Sequence, residues 1–272
     1  MVGRCAVVGV LIDSPQNRQV KFFRSLQGAK GRRETGCFLA EGARLIAEAL
    51  VAGWPIEAAA VCEELLTPAA AEVAAALREG PWPCHELTAR AFRAMTAEQS
   101  PQGIAIAARQ RLVDLADLRP RSRDVLVAAW QLRDPGNLGT LIRTAEFLGC
   151  LALVAVGDCV VFFEPKTVRA TAGAIFHLPL VEVSAEVFLS WAQNNGIAIV
   201  ATAAQGGEAP EKLSSKGPCV VLIGSEAHGL PESVLDIADA TVSIPRSGKV
   251  ESLNAAVAAG LCIYWARQQL NR

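Results

Sequence analysis

From Val125 onward, the sequence contains six short, unbroken apolar runs separated by segments long enough to form helices. The runs are VLVAAW, LALVAV, LPLVEV, IAIVATA, CVVLIG and ATVSIP. A strand that is apolar throughout, rather than at every second residue, is buried on both faces, which is typical of parallel sheets covered by helices. The pattern therefore predicts an α/β domain with a parallel sheet over residues 125–272.

Residues 14–110 predict a separate, smaller α/β unit in which helices and strands alternate. Helices are expected in SPQNRQVKFFRSL, ARLIAEALVAG, TPAAAEVAAALREG and TARAFRAMT, and strands in CFLAE, IEAAAVC and GIAIAAR. The polar, charged stretch at residues 111–124 lies between the two blocks and is predicted to be a linker.

Composition limits the classes of protein to which the chain can belong. With 51% hydrophobic and 19% charged residues, it can bury a large core, which argues against a disordered chain. Neither an uncharged apolar run of membrane-spanning length nor a signal-peptide cleavage site is evident, so we expect a cytoplasmic protein. The eight scattered cysteines are typical of buried thiols in a reducing compartment, and the three histidines lack metal-ligand spacing.

A local basic cluster stands out against the formal net charge of −1. Six cations and no acid lie between residues 18 and 33, namely Arg18, Lys21, Arg24, Lys30, Arg32 and Arg33. Such a cluster on a nearly neutral chain favours a phosphate-rich partner, although a solvated helix face is the alternative interpretation.

Polar residues and glycines follow three of the predicted parallel strands. The candidates are Asn137, Gly139 and Arg143 after the first strand, Glu226 between Gly224 and Gly229 after the fifth, and Ser252 and Asn254 after the sixth. His228 lies in the same loop as Glu226 and is expected to be structural or solvated rather than catalytic. Ligands bind at the carboxyl ends of parallel strands, so these side chains are expected to converge. Helix capping is the alternative role for both asparagines, for Ser252 and for Glu226. The glycine spacing fits neither a dinucleotide fingerprint nor a P-loop, so NAD and ATP are not indicated.

Three segments resemble the motifs of the SpoU (TrmH) RNA 2'-O-ribose methyltransferases, in order and at the right separations. They are NLGTLIRTAEFLG, LIGSEAHGL and IPRSGKVESLNAAVAAG. EPKTVRATAGAIFHLPL is similar to a further stretch of that family, and FLAEGARLIAEAL resembles its L30e-like RNA-binding domain. The sequence departs from the usual pattern after Asn254, where Ala255 and Ala256 replace a more common Val-Ser.

The resemblance implies properties that composition alone does not supply. The catalytic domain is expected to have the SPOUT fold, a parallel sheet with a deep trefoil knot, preceded by the L30e-like domain. S-adenosylmethionine is the implied cofactor, and its implied contacts are Thr202, Gly224, Gly229, Ile244, Ser252 and Leu253. A homodimer is also implied, with the AAVAAGLCIYWA helix at or near its interface.

The implied reaction is methyl transfer to a ribose 2'-hydroxyl, most simply of 23S rRNA. We expect Arg143 to clamp the phosphate beside the target ribose, because a guanidinium normally stays protonated. A general-base role for the same arginine is the family alternative. Asn137, Glu226, Ser252 and Asn254 are expected to orient Arg143, the ribose and the methyl donor. A tRNA substrate and a non-catalytic RNA-binding protein of the same fold remain the competing interpretations.

Overall fold

The structure, a computed structural model, describes residues 10–212, 217–250 and 252–270. These residues form two compact units. The first ends at Gln110 and also includes Phe163–Pro165. The second comprises Arg111–Phe162 and the chain from Lys166 onward.

The first unit contains a four-stranded mixed sheet with helices. Its elements are α1 (Arg18–Ser25), α2 (Ala29–Thr35), β1 (Cys37–Glu41), α3 (Ala43–Val51), β2 (Ile56–Val61), α4 (Pro68–Glu79), β3 (Cys84–Glu86), α5 (Ala89–Arg93) and β4 (Ile104–Arg109). The strand order is β1-β4-β2-β3. Strand β4 is antiparallel to β1 and β2, whereas β3 is parallel to β2 and forms an edge of the sheet.

Helix α1 confirms the helical spacing of its apolar residues. Val20, Phe23 and Leu26 are completely buried and pack against β1, β2 and α5 in the core of this unit. Asn17 caps the helix by accepting a hydrogen bond from the backbone N–H of Gln19 at 2.8 Å. The cations of α1 therefore lie on its opposite, solvent-exposed face.

Two elements of this unit, α2 and β3, are absent from the sequence-based prediction. Helix α2 has no apolar periodicity and is held instead by close packing, since a Cβ on Gly31 would lie 2.2 Å from the carbonyl oxygen of Ser25. Strand β3 has three residues and depends on its pairing with β2. Neither feature leaves a periodic signal in the sequence.

The second unit contains a six-stranded sheet in which every strand pair is parallel. Its elements are β5 (Val125–Trp130), α6 (Pro135–Phe147), β6 (Leu153–Val156), α7 (Pro165–Ala170), β7 (Leu180–Val183), α8 (Ala185–Asn194), β8 (Ala198–Thr202), β9 (Cys219–Ile223), α9 (Glu232–Leu235), β10 (Ala240–Val242) and α10 (Ala255–Leu270). The strand order is β10-β8-β9-β5-β6-β7. All six strands predicted from the apolar runs are confirmed, as is the α/β fold class.

The segment 111–124 differs from the linker expected there, because it belongs to the second unit. Leu115 and Leu118 are buried in the core of that unit. The backbone N–H of Val113 donates to the carbonyl of Leu180 on β7 at 2.8 Å. The high charge of the segment conceals the two leucines that anchor it.

The cysteines in the apolar runs are buried, as predicted. Cys62, Cys150, Cys219 and Cys262 are all buried, and the seven described cysteines are free thiols. Burial raises the pKa of Cys150 to about 12 and that of Cys219 to about 11, so both thiols stay protonated near neutral pH. Cys5 lies outside the described residues. In the described part of the chain, no helix is both long and apolar enough to cross a membrane.

Candidate active site

The loop after β5 leads into α6 through an Asp-Pro pair that fixes the start of the helix. Asp134 caps α6, because its Oδ1 accepts a hydrogen bond from the backbone N–H of Asn137 at 2.7 Å. Pro135 occupies the first helical position, where a missing N–H has no cost. The expected alternative role of Asn137 as the cap is therefore wrong, and its side chain is available for other contacts.

A chain of side-chain hydrogen bonds joins the three predicted motifs. Asn137 donates through Nδ2 to Oε1 of Glu226 at 2.8 Å. Asn254 donates through Nδ2 to Oδ1 of Asn137 at 2.7 Å. These residues are separated by 89 and 117 positions in the sequence, so the fold brings together the side chains that follow β5, β9 and β10. We call Asn137, Glu226 and Asn254 the amide–carboxylate chain.

The direction of each bond in this chain is fixed at both ends. At one end, Oδ1 of Asn254 accepts from the backbone N–H groups of Ala256 and Val257, at 2.9 and 3.3 Å, and so caps α10. Its Nδ2 must then act as a donor. At the other end, Oε1 of Glu226 is the acceptor, so the Nδ2 donor of Asn137 faces it. Asn254 is therefore both a helix cap and a member of the site.

Glu226 is carried by a tight glycine-bounded loop. Ser225 and Gly229 exchange backbone hydrogen bonds of 3.1 and 2.8 Å, and Gly229 has a φ of 66°. A Cβ on Gly224 would lie 2.3 Å from the carbonyl carbon of Gly229, so only glycine allows this turn. His228 is exposed and directs its backbone N–H toward the hydroxyl of Ser225 at 3.3 Å. The loop presents Glu226 to solvent while its backbone stays compact.

Arg143 lies farther along α6, on a different face from Asn137. The six-residue separation corresponds to about 9 Å along the helix axis. Its side chain is exposed, and within the described residues it makes no hydrogen bond or ion pair. Leu141 and Ile142 beside it are buried, which anchors the helix below the guanidinium. The structure therefore presents Arg143 as an unpaired cation, without a contact from the amide–carboxylate chain.

The residues proposed for the cofactor occupy the ends of β8, β9 and β10. Thr202 ends β8 and donates its hydroxyl to the carbonyl of Leu222 at 2.9 Å, which leaves the hydroxyl oxygen able to accept. Ile244 is half-buried, and the side chain of Leu253 is 50% exposed. Among the described residues, neither donates its backbone N–H to another group. Ser252 is exposed and makes no hydrogen bond to a described residue.

This combination of groups fits S-adenosylmethionine. Free backbone donors beside accessible aliphatic side chains suit a flat, apolar base with polar edges. Gly229 has open space where a Cβ would lie, so a ligand can approach its backbone closely. Gly139 has a different role: a Cβ there would lie 2.5 Å from the carbonyl oxygen of Thr167, so this glycine permits α6 and α7 to pack together.

Two ion pairs that the sequence did not predict lie next to members of the amide–carboxylate chain. Arg133 pairs with Asp158 at 2.8 Å, and its backbone N–H lies 3.5 Å from Oε2 of Glu226. Lys166 approaches the capping Asp134 at 3.8 Å. In the sequence, the Asp134-Pro135 pair after an apolar strand could have indicated that Asp134 caps α6. No sequence pattern indicates that Arg133 pairs with Asp158.

The six cations of the basic cluster in the first unit differ in their exposure to solvent. Arg18, Lys21, Arg24, Lys30 and Arg33 are exposed, whereas Arg32 is only 6% exposed. Nη1 of Arg32 donates to the carbonyls of Leu26 and Gln27, at 3.0 and 2.8 Å. These carbonyls lie at the end of α1, so Arg32 closes that helix. Its assignment as an RNA-binding residue is therefore wrong.

The sequences of both units match known protein families. The SpoU rRNA Methylase family matches residues 124–264, and the MRM3-like substrate binding domain matches residues 17–106. A 23S rRNA (guanosine(2553)-2'-O)-methyltransferase of Bacillus subtilis is 32% identical over 94% of this chain and 98% of its own. A 23S rRNA (uridine(2479)-2'-O)-methyltransferase of Streptomyces viridochromogenes is 31% identical over 93% of this chain and 91% of its own.

The fold is shared with solved structures over the same extent. An AdoMet-bound rRNA methyltransferase from Sinorhizobium meliloti superposes with a TM-score of 0.86 at 34% identity. The match covers 94% of this chain and 97% of that protein. The matches to the two sequence relatives and to the Sinorhizobium meliloti structure each extend across both units of this chain. The chain therefore belongs to the SpoU rRNA methylase family.

Proposed function

We propose that this chain is an S-adenosylmethionine-dependent methyltransferase that modifies a ribose 2'-hydroxyl of 23S rRNA. The observation that carries the proposal is the hydrogen-bonded chain Glu226–Asn137–Asn254, which joins the segments that follow three strands. Its central member, Asn137, lies on the same helix as the unpaired Arg143. The two sequence relatives described above are named as 23S rRNA 2'-O-methyltransferases, and this chain matches them over nearly their whole length. They support the same reaction and substrate.

The protein has three tasks in this reaction, which are alignment, phosphate placement and acceptance of the proton that the 2'-hydroxyl loses when its oxygen bonds to the methyl carbon. The exposed carboxylate of Glu226 is the acceptor available for that proton. The methyl group comes from bound S-adenosylmethionine, held by the groups at the ends of β8, β9 and β10. Transfer from a sulfonium is an in-line displacement, and alignment of the reacting atoms alone can contribute roughly 7–11 kcal/mol. The unpaired guanidinium of Arg143 binds the phosphate next to the target ribose, since a planar fork of donors matches phosphate oxygens.

The amide–carboxylate chain supplies the rigid part of the site. Asn137 and Asn254 use their amide groups on each other, on α10 and on Glu226, so they act as positioning residues. Glu226 remains exposed and is the member able to accept a hydrogen bond from the ribose hydroxyl. Ser252 and Leu253 lie immediately before Asn254, so the same anchor fixes the segment that faces the cofactor. The knotted threading of the C-terminal segment remains a prediction.

We assign rRNA rather than tRNA as the substrate because the substrate-binding unit accompanies the catalytic unit. The MRM3-like match covers almost all of the first unit, and two relatives matched over more than nine tenths of their own length are named as 23S rRNA methyltransferases. Such a protein works where ribosomes are assembled, so we place it in the cytoplasm.

Mapping of 2'-O-methyl groups in cells tests the assignment. Ribosomal and transfer RNA from cells with and without the gene are compared by reverse transcription at limiting nucleotide concentration. We expect one 23S rRNA position to lose its methyl group and to regain it when the gene is restored. Loss of a tRNA methyl group with unchanged 23S rRNA contradicts the substrate assignment.

The exposed cations of the first unit are the proposed phosphate contacts. Arg18, Lys21 and Arg24 extend along one side of α1, and Arg33 is exposed on α2. Each phosphate contact releases counterions, so affinity for RNA should fall steeply as salt rises. An affinity that does not change with salt contradicts this proposal.

Arg32 and Arg33 form a matched pair that separates stability from RNA binding. Arg32→Ala removes two buried hydrogen bonds from a charged donor, so we expect a loss of about 2–3 kcal/mol in the free energy of unfolding. Arg33→Ala should change stability by less than about 0.5 kcal/mol but weaken RNA binding and reduce its salt dependence. Urea unfolding and fluorescence anisotropy with 23S rRNA fragments measure the two effects. A destabilised Arg33→Ala variant, or an Arg32→Ala variant that is as stable as the wild type but binds RNA weakly, contradicts the assignment.

An exposed apolar face on α10 supports the proposed homodimer. Val257, Leu261 and Tyr264 are 52%, 41% and 47% exposed, and their spacing places them on one side of the helix. Phe147 is 84% exposed on α6, which packs against α10. A row of apolar side chains left in water favours coverage by another surface. We propose that a second copy of the chain covers it.

Leu261→Asp tests the proposed dimer. A carboxylate in the middle of an apolar interface is desolvated without a partner, so we expect this variant to sediment as a monomer at concentrations at which the wild type is a dimer. Val187→Asp serves as the control, because Val187 is similarly exposed but lies on α8. Dimers of Leu261→Asp with unchanged affinity would exclude α10 from the interface.

A further inference from the structure

A cavity of about 370 Å³ lies in the first unit, between the start of α1 and the edge strand β3. Its lining includes Ile12, Asn17, Arg18, Gln19, His85 and Glu86. It is formed entirely by residues of the first unit, so it is separate from the amide–carboxylate chain of the second.

Part of the polar lining is already committed to the framework of the unit. Asn17 caps α1 through its side chain. Both oxygens of Glu86 accept hydrogen bonds from Arg78, at 2.7 and 3.2 Å, so its charge is compensated. A negatively charged ligand can therefore enter without facing a free carboxylate at this position.

The rest of the polar lining is available to a ligand. Among the described residues, the side chains of Arg18, Gln19 and His85 make no hydrogen bond or ion pair. Gln19 and His85 are half-buried and line the cavity, so an amide and an imidazole are available at its wall. Together they offer hydrogen-bond donors, an acceptor and a flat ring.

His85 is suited to an uncharged partner. Burial lowers the pKa of its imidazole, and the nearby Arg18 guanidinium lowers it further. The ring is therefore neutral near pH 7, with one nitrogen that donates and one that accepts. Neutral aromatic and imidazole rings are common surfaces on which unstacked RNA bases lie.

A row of cations extends from the cavity along α1. Arg18 lies at its rim, and Lys21 and Arg24 follow at three-residue intervals on the exposed side of the helix. None of the three forms an ion pair with a described acid. An RNA backbone that enters the cavity would thus meet unpaired positive charge directly beside it.

We propose that this cavity holds one unpaired nucleotide of the RNA substrate. The base lies against His85 and presents its polar edge to Gln19, while Arg18 and Lys21 bind the adjoining phosphates. A paired base is held inside its helix and cannot enter, so the cavity selects single-stranded segments of RNA. This inference rests on the proposed RNA-modifying function and adds to it a means of choosing the substrate.

Fluorescence anisotropy with two probes tests the inference on the full chain. The probes are a labelled 12-nucleotide single-stranded RNA of mixed sequence and the blunt duplex of the same sequence. We expect His85→Ala to weaken single-strand binding about 5- to 150-fold, the range found when a base loses its stacking partner, with little change for the duplex. Gln19→Ala should weaken single-strand binding to a smaller extent.

Matched variants control for folding and for general electrostatics. His85→Phe retains a flat ring and should preserve most of the single-strand affinity. Arg93→Ala removes an exposed cation elsewhere in the same unit and should affect both probes equally and weakly. Thermal melting by circular dichroism identifies any variant that has lost its fold, in which case Gln19→Ala and His85→Phe carry the test.

Single-strand affinity that is unchanged in folded His85→Ala, or lost equally for the duplex, overturns the proposed cavity role. Methyl transfer by the wild type is measured separately with labelled S-adenosylmethionine. Absence of methyl transfer with a His85-dependent single-strand affinity rejects the proposed reaction and keeps the nucleotide site. Active methyl transfer with unchanged His85→Ala binding rejects the nucleotide site alone.

Discussion

Replacing Arg143 by alanine is expected to lower the rate of methyl transfer by about 100- to 1000-fold, the usual effect of removing one oriented charge or donor from a site. The guanidinium is exposed and unpaired in the described residues, and its removal leaves α6 anchored through Leu141 and Ile142. The cofactor groups lie at other strand ends, so affinity for S-adenosylmethionine should stay within about twofold.

Tritiated methyl incorporation into 23S rRNA and calorimetric cofactor binding give the two readouts. Arg143→Lys is the matched variant, because it keeps the positive charge but cannot bind a phosphate through two parallel hydrogen bonds. We expect it to recover only part of the rate. Wild-type turnover in Arg143→Ala would remove Arg143 from the mechanism.

Asn254→Asp is expected to lower methyl transfer by about 100-fold, comparable with the effect of misplacing a reacting group by about 1 Å. Aspartate still caps α10 through its carboxylate, because Asp and Asn are equally good capping residues. It cannot donate to Oδ1 of Asn137, however. The amide of Asn137 then turns its Nδ2 toward the new carboxylate, and Glu226 loses its partner.

The cap and the site are separated by comparing two variants. Asn254→Asp should unfold within about 0.5 kcal/mol of the wild type, whereas Asn254→Ala should lose about 1 kcal/mol because it also removes the cap. Urea unfolding measures the stability of both proteins, and initial rates on 23S rRNA measure activity. A fully active Asn254→Asp would show that the amide–carboxylate chain does not position the site.

The second unit was the more predictable part of the fold. Its strands are buried on both faces, so the runs ending at Trp130 and Ile223 are apolar without interruption. In the first unit, α2 and β3 are held by contacts distant in sequence, such as the close approach of Gly31 to Ser25. The local sequence pattern does not indicate such contacts, so it predicts neither α2 nor β3.

The composition of the site was easier to predict than its bonding. The position of polar residues after parallel strands identified Asn137, Glu226 and Asn254 as neighbours. The order of their hydrogen bonds depends on separations of 89 and 117 residues and on the α10 cap, which only the fold supplies. Arg32 shows the converse error, since a count of charges cannot reveal that one guanidinium is buried against carbonyls.

The most direct test of the account is to identify the methylated nucleoside. Purified protein is incubated with labelled S-adenosylmethionine and unmodified 23S rRNA, 16S rRNA or tRNA, and the RNA is digested to nucleosides for mass spectrometry. We predict a single 2'-O-methylated nucleoside from 23S rRNA, formed about 100- to 1000-fold more slowly when Arg143→Ala replaces the wild type. A methyl group on a base, or equal labelling of all three RNAs, contradicts it.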